Sequence, residues 1–226
     1  EQDPAHAYLV NTVGTELVVE ACRLTGARLL YMSTAAVFNG QKPTPYVETD
    51  PPGPVNTYAR SKLAGEFAVQ GGGGPHQIVR AGWLVGGYGR DKKFVGKILR
   101  LLEERRELAV VTDKRGSLTF ATDLAQVLVT LLETEHTGIF HVANQGSCSR
   151  YEVARKVVEW LGRRHEVTIR PITSEAFPLP APRSASEVIE NARLKALGLD
   201  TMPMWERSLQ GYIRDYLAAK LCASSS

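Results

Sequence analysis

Residues 29–66 constrain the fold of this chain more than any other stretch, reading LLYMSTAAVFNGQKPTPYVETDPPGPVNTYARSKLAGE. An apolar run, Leu29-Leu30-Tyr31-Met32, closes on Ser33-Thr34, and so short a run reads as a buried strand. Five prolines follow between positions 39 and 54, which marks an ordered surface loop near a site. A helical pattern then runs over 56–69. Tyr58 and Lys62 stand at i and i+4, so the helix sets them on one face. An ammonium beside a phenol favours the phenolate, and that is one way a Tyr becomes a proton donor or acceptor near neutral pH. A hydroxyl of Ser33 or Thr34 at the strand's end would hold a carbonyl beside it. Taken alone, Tyr-x-x-x-Lys is also what a solvated Lys one turn from a half-buried Tyr looks like.

The chain has 226 residues, 43% hydrophobic and 23% charged, with a net charge of +3. That composition is ordinary for a soluble globular protein, and the charge is too small and scattered to argue for nucleic acid. No apolar run approaches the ~18 residues that cross a bilayer, and Glu1-Gln2-Asp3-Pro4 does not open a signal peptide. A cytoplasmic protein is expected. Cys22, Cys148 and Cys222 lie far apart in no metal-type spacing, and the five His form no H-x-x-x-H pattern. Reduced thiols and no metal are expected.

In order, a core helix starts at Asp3-Pro4 and stops at Gly26, with Tyr8, Leu9, Val13, Leu17, Val18 and Ala21 at helical spacing. Gly14 in it would permit close packing. After the helix at 56–69, Gly71–Gly74 reads as a connector, since it follows a helix and lacks G-x-G-x-x-G spacing. Strands are expected at 76–85, 108–112, 138–143 and 167–172. Helices are expected at 92–107, 121–135, 150–163, 193–197 and 204–221, and the tail at 223–226 should fray. The helix at 92–107 presents Phe94, Val95, Ile98, Leu101 and Leu102 on one face. Trp83 is either a core residue or a flat face for a sugar or base.

Ser-Thr-x-x-Val-Phe at 33–38, Pro-Tyr-x-Glu-x-Asp at 45–50 and Pro-x-Asn-x-Tyr-x-x-Ser-Lys-Leu-x-Gly-Glu at 54–66 occur in that order and spacing. With them the chain resembles the extended short-chain dehydrogenase/reductase superfamily, and within it the dTDP-4-dehydrorhamnose reductase family. The resemblance continues more weakly almost to the C-terminus. It implies a doubly wound, Rossmann-like α/β parallel sheet, here its C-terminal portion, with a smaller α/β substrate-binding domain. Residues 1–145 would be the remaining dinucleotide-binding part, with substrate segments interleaved after about 83; 146–222 would be mainly substrate-binding. The implied reaction is reduction of the 4-keto group of a nucleotide-linked 6-deoxy sugar by NADPH or NADH. Hydride would go to the keto carbon and a proton from Tyr58 to the forming alkoxide. Lys62 would lower the Tyr58 pKa and hold the nicotinamide ribose, with Ser33 beside it, and Thr34 would bond the reacting oxygen. Val37, Phe38, Asn56, Trp83 and Arg183 would contact the sugar nucleotide. The resemblance is compatible with a homodimer.

Four departures qualify that resemblance. The family usually has Asp-Tyr where Ala35-Ala36 stand, which removes polar contacts from the sugar pocket. It commonly has Pro at Leu118. Pro182-Arg183 is similar to the family's Arg-Pro pair with the order changed. The Gly-rich turn that opens the family's chains, and holds a pyrophosphate on a helix N-terminus, is nowhere in the 226 residues. The expectation is therefore a fragment lacking two βαβ units, on the order of sixty residues; loss of the cofactor site is the alternative. Two rival functions are a related nucleotide-sugar epimerase or dehydratase, and a non-catalytic regulatory subunit on the same fold.

Overall fold

A computed structural model describes residues 1–87 and 91–224. The last two positions of the expected tail, Ser225 and Ser226, lie outside the described residues. The chain opens with α1 (Pro4–Tyr8), a π-helical turn at Leu9–Val13, and α2 (Gly14–Thr25). Asp3 caps α1 by accepting from His6 N–H, and Gly26 ends α2 at φ 70°. Next come β1 (Leu29–Thr34), α3 (Thr57–Gly71), β2 (His76–Ala81) and β3 (Trp83–Val85). α3 starts where it does because Asn56 Oδ1 accepts from Ala59 N–H at 2.9 Å. Then follow α4 (Phe94–Glu104), β4 (Glu107–Val111), β5 (Arg115–Gly116), β6 (Leu118–Phe120) and α5 (Ala121–Leu132). The chain ends with β7 (Gly138–Val142), β8 (Cys148–Ser149), α6 (Arg150–Trp160), β9 (Thr168–Ile172), β10 (Ser186–Glu187), α7 (Ala192–Ala196) and α8 (Trp205–Ser224). A reciprocal capping box between Ser149 and Glu152 sets the start of α6.

β1, β2 and β7 form one parallel sheet in that order, with Leu29 opposite His76 and Gln77 opposite Gly138. Parallel neighbours need a crossover, which α3 supplies between β1 and β2. One core lies between this sheet and α5 and α7, built on Val79, Leu124, Leu131, Phe140, Val142 and Leu194. A larger core joins α4, α6 and α8 through Ile98, Leu102, Val153, Val157, Leu209 and Ile213. The apolar stripe expected on α4 is the one that packs there, with Phe94 and Leu101 at its margin.

Two expectations need correction. The strand expected at 76–85 is broken at Gly82. β2 stays in the main sheet, whereas β3 pairs with β6. Gly82 lies so close to the neighbouring chain that a Cβ there would come within 2.1 Å of Ser117 O, and Trp83 N–H donates to that oxygen at 2.7 Å. The helix expected over 3–26 is interrupted by the π turn, and its apolar stripe is not core: Leu9, Val10, Leu17 and Val18 are exposed. Its polar side is what packs, with Asn11 Nδ2 donating to Ser61 Oγ at 3.0 Å and Thr12 Oγ1 to Ser61 O at 3.1 Å. The close-packing glycine is Gly65 rather than Gly14. A Cβ at Gly65 would meet Asn11 O at 2.5 Å, while one at Gly14 would meet nothing closer than 3.6 Å.

His141 on β7 is fully buried, with Nδ1 hydrogen-bonded to the carbonyls of Tyr46 and Glu190 at 3.2 Å each and Nε2 without a partner. Burial first, then the nearby Arg80 charge, pushes its pKa down to about 3. The unfolded chain therefore binds a proton here that the folded one refuses, at every pH between about 3 and the ordinary value near 6.5. Stability is expected to fall as the pH drops through that window. His141→Leu should flatten the loss, which urea denaturation at several pH values would detect; an unchanged acid slope would remove His141 as its source.

Candidate active site

Thr34 closes β1 and caps the single 3₁₀ turn that follows, accepting from Ala36 N–H at 3.2 Å. That bond uses the oxygen and leaves the hydroxyl proton to donate. The Tyr58 phenol, in the first turn of α3, lies close enough for Thr34 to pull its pKa down. Desolvation outweighs this and Tyr58 is raised overall, with Glu187 adding to the rise and Arg183 opposing it. The residue is nonetheless 48% exposed, so its hydroxyl can meet a ligand.

Lys62 does not act as the i, i+4 spacing suggests. Its ammonium sits 4.1 Å from the centroid of the Tyr31 ring, a cation–π contact, and is not among the charges acting on Tyr58. Burial lowers the Lys62 pKa, against a pull upward from Glu66. The expected lowering of the Tyr58 pKa is replaced by a rise, because desolvation outweighs the Thr34 contact and the Lys62 ammonium is engaged over the Tyr31 ring. Tyr31 itself is pushed up to about 12, chiefly by burial. Its hydroxyl donates to Lys62 O at 3.2 Å and approaches Asn11 O at 3.5 Å. The π turn presents that Asn11 carbonyl, which also accepts from Thr15 Oγ1 at 2.8 Å. Such single turns often sit at functional sites. Nothing in the sequence marks Tyr31 beyond a strand position, because its contacts with Lys62 and Asn11 arise through tertiary packing.

Ser33 turns inward. Its hydroxyl donates to the buried Glu66 carboxylate, which Arg80 also holds through Nη2 at 2.6 Å and Nε at 3.0 Å. Val37 and Phe38 are fully buried; Phe38 stacks on Tyr46 with centroids 4.2 Å apart. Asn56 is buried too, and beyond its capping bond its Nδ2 donates to Pro182 O at 3.0 Å. It thereby ties the start of α3 to the segment carrying Arg183 and Glu187.

Trp83 and Arg183 meet in a cleft of about 770 Å³ between α4, β4 and the 172–187 segment. Seven of its lining side chains are cationic and only two, Glu107 and Glu187, are acidic. Leu101, Leu108, Phe177 and Leu179 line it as well. Such a cleft suits a ligand with an anionic part and an apolar part. Trp83 Nε1 donates to Glu187 Oε2 at 2.9 Å. Arg150 and Glu187 also line the cleft, and no sequence pattern marked either. Tyr58 stands near its rim, close enough to feel the charges of Arg183 and Glu187.

Residues 1–218 match the family model for the RmlD substrate binding domain. A dTDP-4-dehydrorhamnose reductase of Mycobacterium tuberculosis is 39% identical over 215 residues, covering 92% of this chain and 70% of its own length. The crystal structure of such a reductase from Bacillus anthracis, in complex with NADP, is 37% identical with a TM-score of 0.90, covering 95% of this chain and 75% of that one. One from Yersinia enterocolitica is 37% identical with a TM-score of 0.89, covering 96% and 76%.

Proposed function

This chain belongs to the RmlD substrate-binding-domain family, and from that premise we propose that it reduces the 4-keto group of dTDP-4-dehydrorhamnose with NADPH, in deoxysugar biosynthesis. The observation that carries the reading is the Thr34–Tyr58 hydroxyl pair at the carboxyl end of a parallel strand, where open α/β sheets bind their ligands, at the rim of a cationic cleft. Tyr58 is the proton donor. Its raised pKa keeps the phenol protonated at neutral pH, as a donor to a forming alkoxide must be. Thr34 orients that phenol and stands within reach of the same oxygen. Arg183 and the cations lining the cleft hold the diphosphate, and the apolar side takes the remainder of the ligand.

The residues present fit one end of the cofactor. NADPH supplies a hydride when bound, and the partly exposed Lys62 and Tyr58 would hold the nicotinamide ribose. Its pyrophosphate calls for a Gly-rich turn at a helix N-terminus, and the 226 residues contain no such spacing. We read 1–145 as the dinucleotide-binding part and 146–222 as mainly substrate-binding. The reading includes a cytoplasmic location and a homodimer. Supporting these, no helix among the described residues is long and apolar enough to cross a membrane, and α1–α2 expose an apolar side.

The test is NADPH oxidation with the dTDP-linked 4-keto sugar. These 226 residues alone are expected to bind NADPH too weakly for micromolar titration, and to bind and turn over once a Gly-rich βαβ segment is joined ahead of Glu1. Micromolar binding by the 226 residues alone would show that the cofactor site is assembled differently. A protein that binds NADPH but never oxidises it on the keto sugar would sink the functional reading.

A further inference from the structure

Trp83 has little free face to offer a ligand. The backbone of Gly116 presses so close that a Cβ there would come within 2.5 Å of the indole. The guanidinium of Arg150 lies over the ring, 4.4 Å from its centroid, and also 4.9 Å from the Phe94 centroid. Trp83's one polar atom is spent on Glu187. The indole is therefore arranged to hold something in place rather than to receive a sugar.

What it holds is an unsatisfied cation. Arg150, the first residue of α6, points its guanidinium into the cleft. Among the described residues it has no hydrogen-bond or ion-pair partner. A guanidinium offers five donors in a planar fork, and this one is only partly buried, so its donors stay open to a ligand in the cleft. Burial lowers the Arg150 pKa, Glu187 opposes that, and Arg183 adds to it. Both guanidinium groups line the cleft and their charges oppose one another, while the Glu187 carboxylate already accepts from Trp83. Ser184, which also lines the cleft, keeps a buried hydroxyl with no partner among the described residues.

We propose that Arg150, positioned by its stack on Trp83 and Phe94, is a determinant of diphosphate recognition in this cleft, forking onto phosphate oxygens of the nucleotide portion of the ligand. The inference rests on the nucleotide-sugar reading above and deepens it. Planar, bidentate recognition of phosphate is what a stacked guanidinium does best, and a dianion between Arg150 and Arg183 relieves their repulsion. Trp83 is then a positioning residue.

The test compares thymidine 5′-diphosphate with thymidine by calorimetric titration into the chain. Arg150→Met is expected to weaken the diphosphate by about 10- to 100-fold, the scale of charge-assisted hydrogen bonds, and to leave thymidine within about twofold. Arg150→Lys should recover only part, because an ammonium keeps the charge but not the fork. Trp83→Leu should also weaken the diphosphate itself, whereas a Trp that stacked on the sugar would leave it unchanged. Thermal denaturation of each variant separates lost binding from lost folding. Equal losses for both probes would make Arg150 a packing residue and overturn the proposal, as would an unchanged diphosphate affinity. If the unaltered chain bound neither probe, the nucleotide-sugar reading would fail along with it.

Discussion

Tyr58→Phe is expected to slow keto-sugar reduction by about 10²–10⁴-fold, the range for a general acid, with the fold unchanged. The substitution keeps the ring and removes one hydroxyl. That hydroxyl lies near Thr34 on a residue that is 48% exposed, so its loss strands no buried polar group. The effect should fall on kcat, because the proton is delivered as the alkoxide forms. The raised Tyr58 pKa adds a constraint. Protein surroundings disfavour the phenolate here, so the phenol remains charged with its proton through neutral pH and acts as a donor. Lys62 is engaged with Tyr31, so its contribution to catalysis would come through the cofactor ribose or through a movement on binding. The assay is NADPH oxidation by a cofactor-binding form of the protein, beside its melting temperature. An undiminished kcat in the Phe variant would remove Tyr58 as the acid.

Glu66→Leu should produce the largest loss of stability. Glu66 and Arg80 have side chains only 1% and 3% exposed. The carboxylate accepts Nη2 at 2.6 Å and Nε at 3.0 Å, together with the Ser33 hydroxyl. This network pins α3 to both β1 and β2. Removing the carboxylate leaves a buried guanidinium uncompensated, a loss of about 3–5 kcal/mol. At roughly 2–4 °C per kcal/mol for a chain of this size, the melting temperature should drop on the order of 10 °C. Arg80 Nη1 already lacks a partner, so little in the surroundings can take over. The double change Glu66→Leu with Arg80→Met removes both charges and is expected to recover much of the loss, since apolar replacement of a buried pair is often near neutral. A double variant less stable than the single one would refute this account, as would a single variant that melts like the unaltered protein.

The contrast between these two sites shows what could be read in advance. Tyr58 stands in a legible pattern: an apolar run ending in Ser33-Thr34, a proline-rich loop, then a helical pattern opening at Asn56, two residues ahead of the Tyr. The start of α6 is equally local, since Ser149 and Glu152 satisfy each other's backbone. The face of α4 follows from its spacing alone. At the two helix starts and on the α4 face the deciding interactions join residues three or four apart, so they travel with the sequence. The Glu66–Arg80 pair spans 14 residues, Lys62 over Tyr31 spans 31, and Arg150 over Trp83 joins β3 to the start of α6. These contacts depend on which strands become neighbours and on how closely their backbones approach. The break at Gly82 depends on the approach of Ser117, and the packing of Asn11 and Thr12 of the π turn against Ser61 depends on where α3 lies. The sequence by itself determined the alternation of strands and helices and the place of the Thr–Tyr pair at a strand's end. Only the tertiary structure decided where each cation points, because a charged side chain is long and follows whichever ring or carboxylate the packed chain sets beside it.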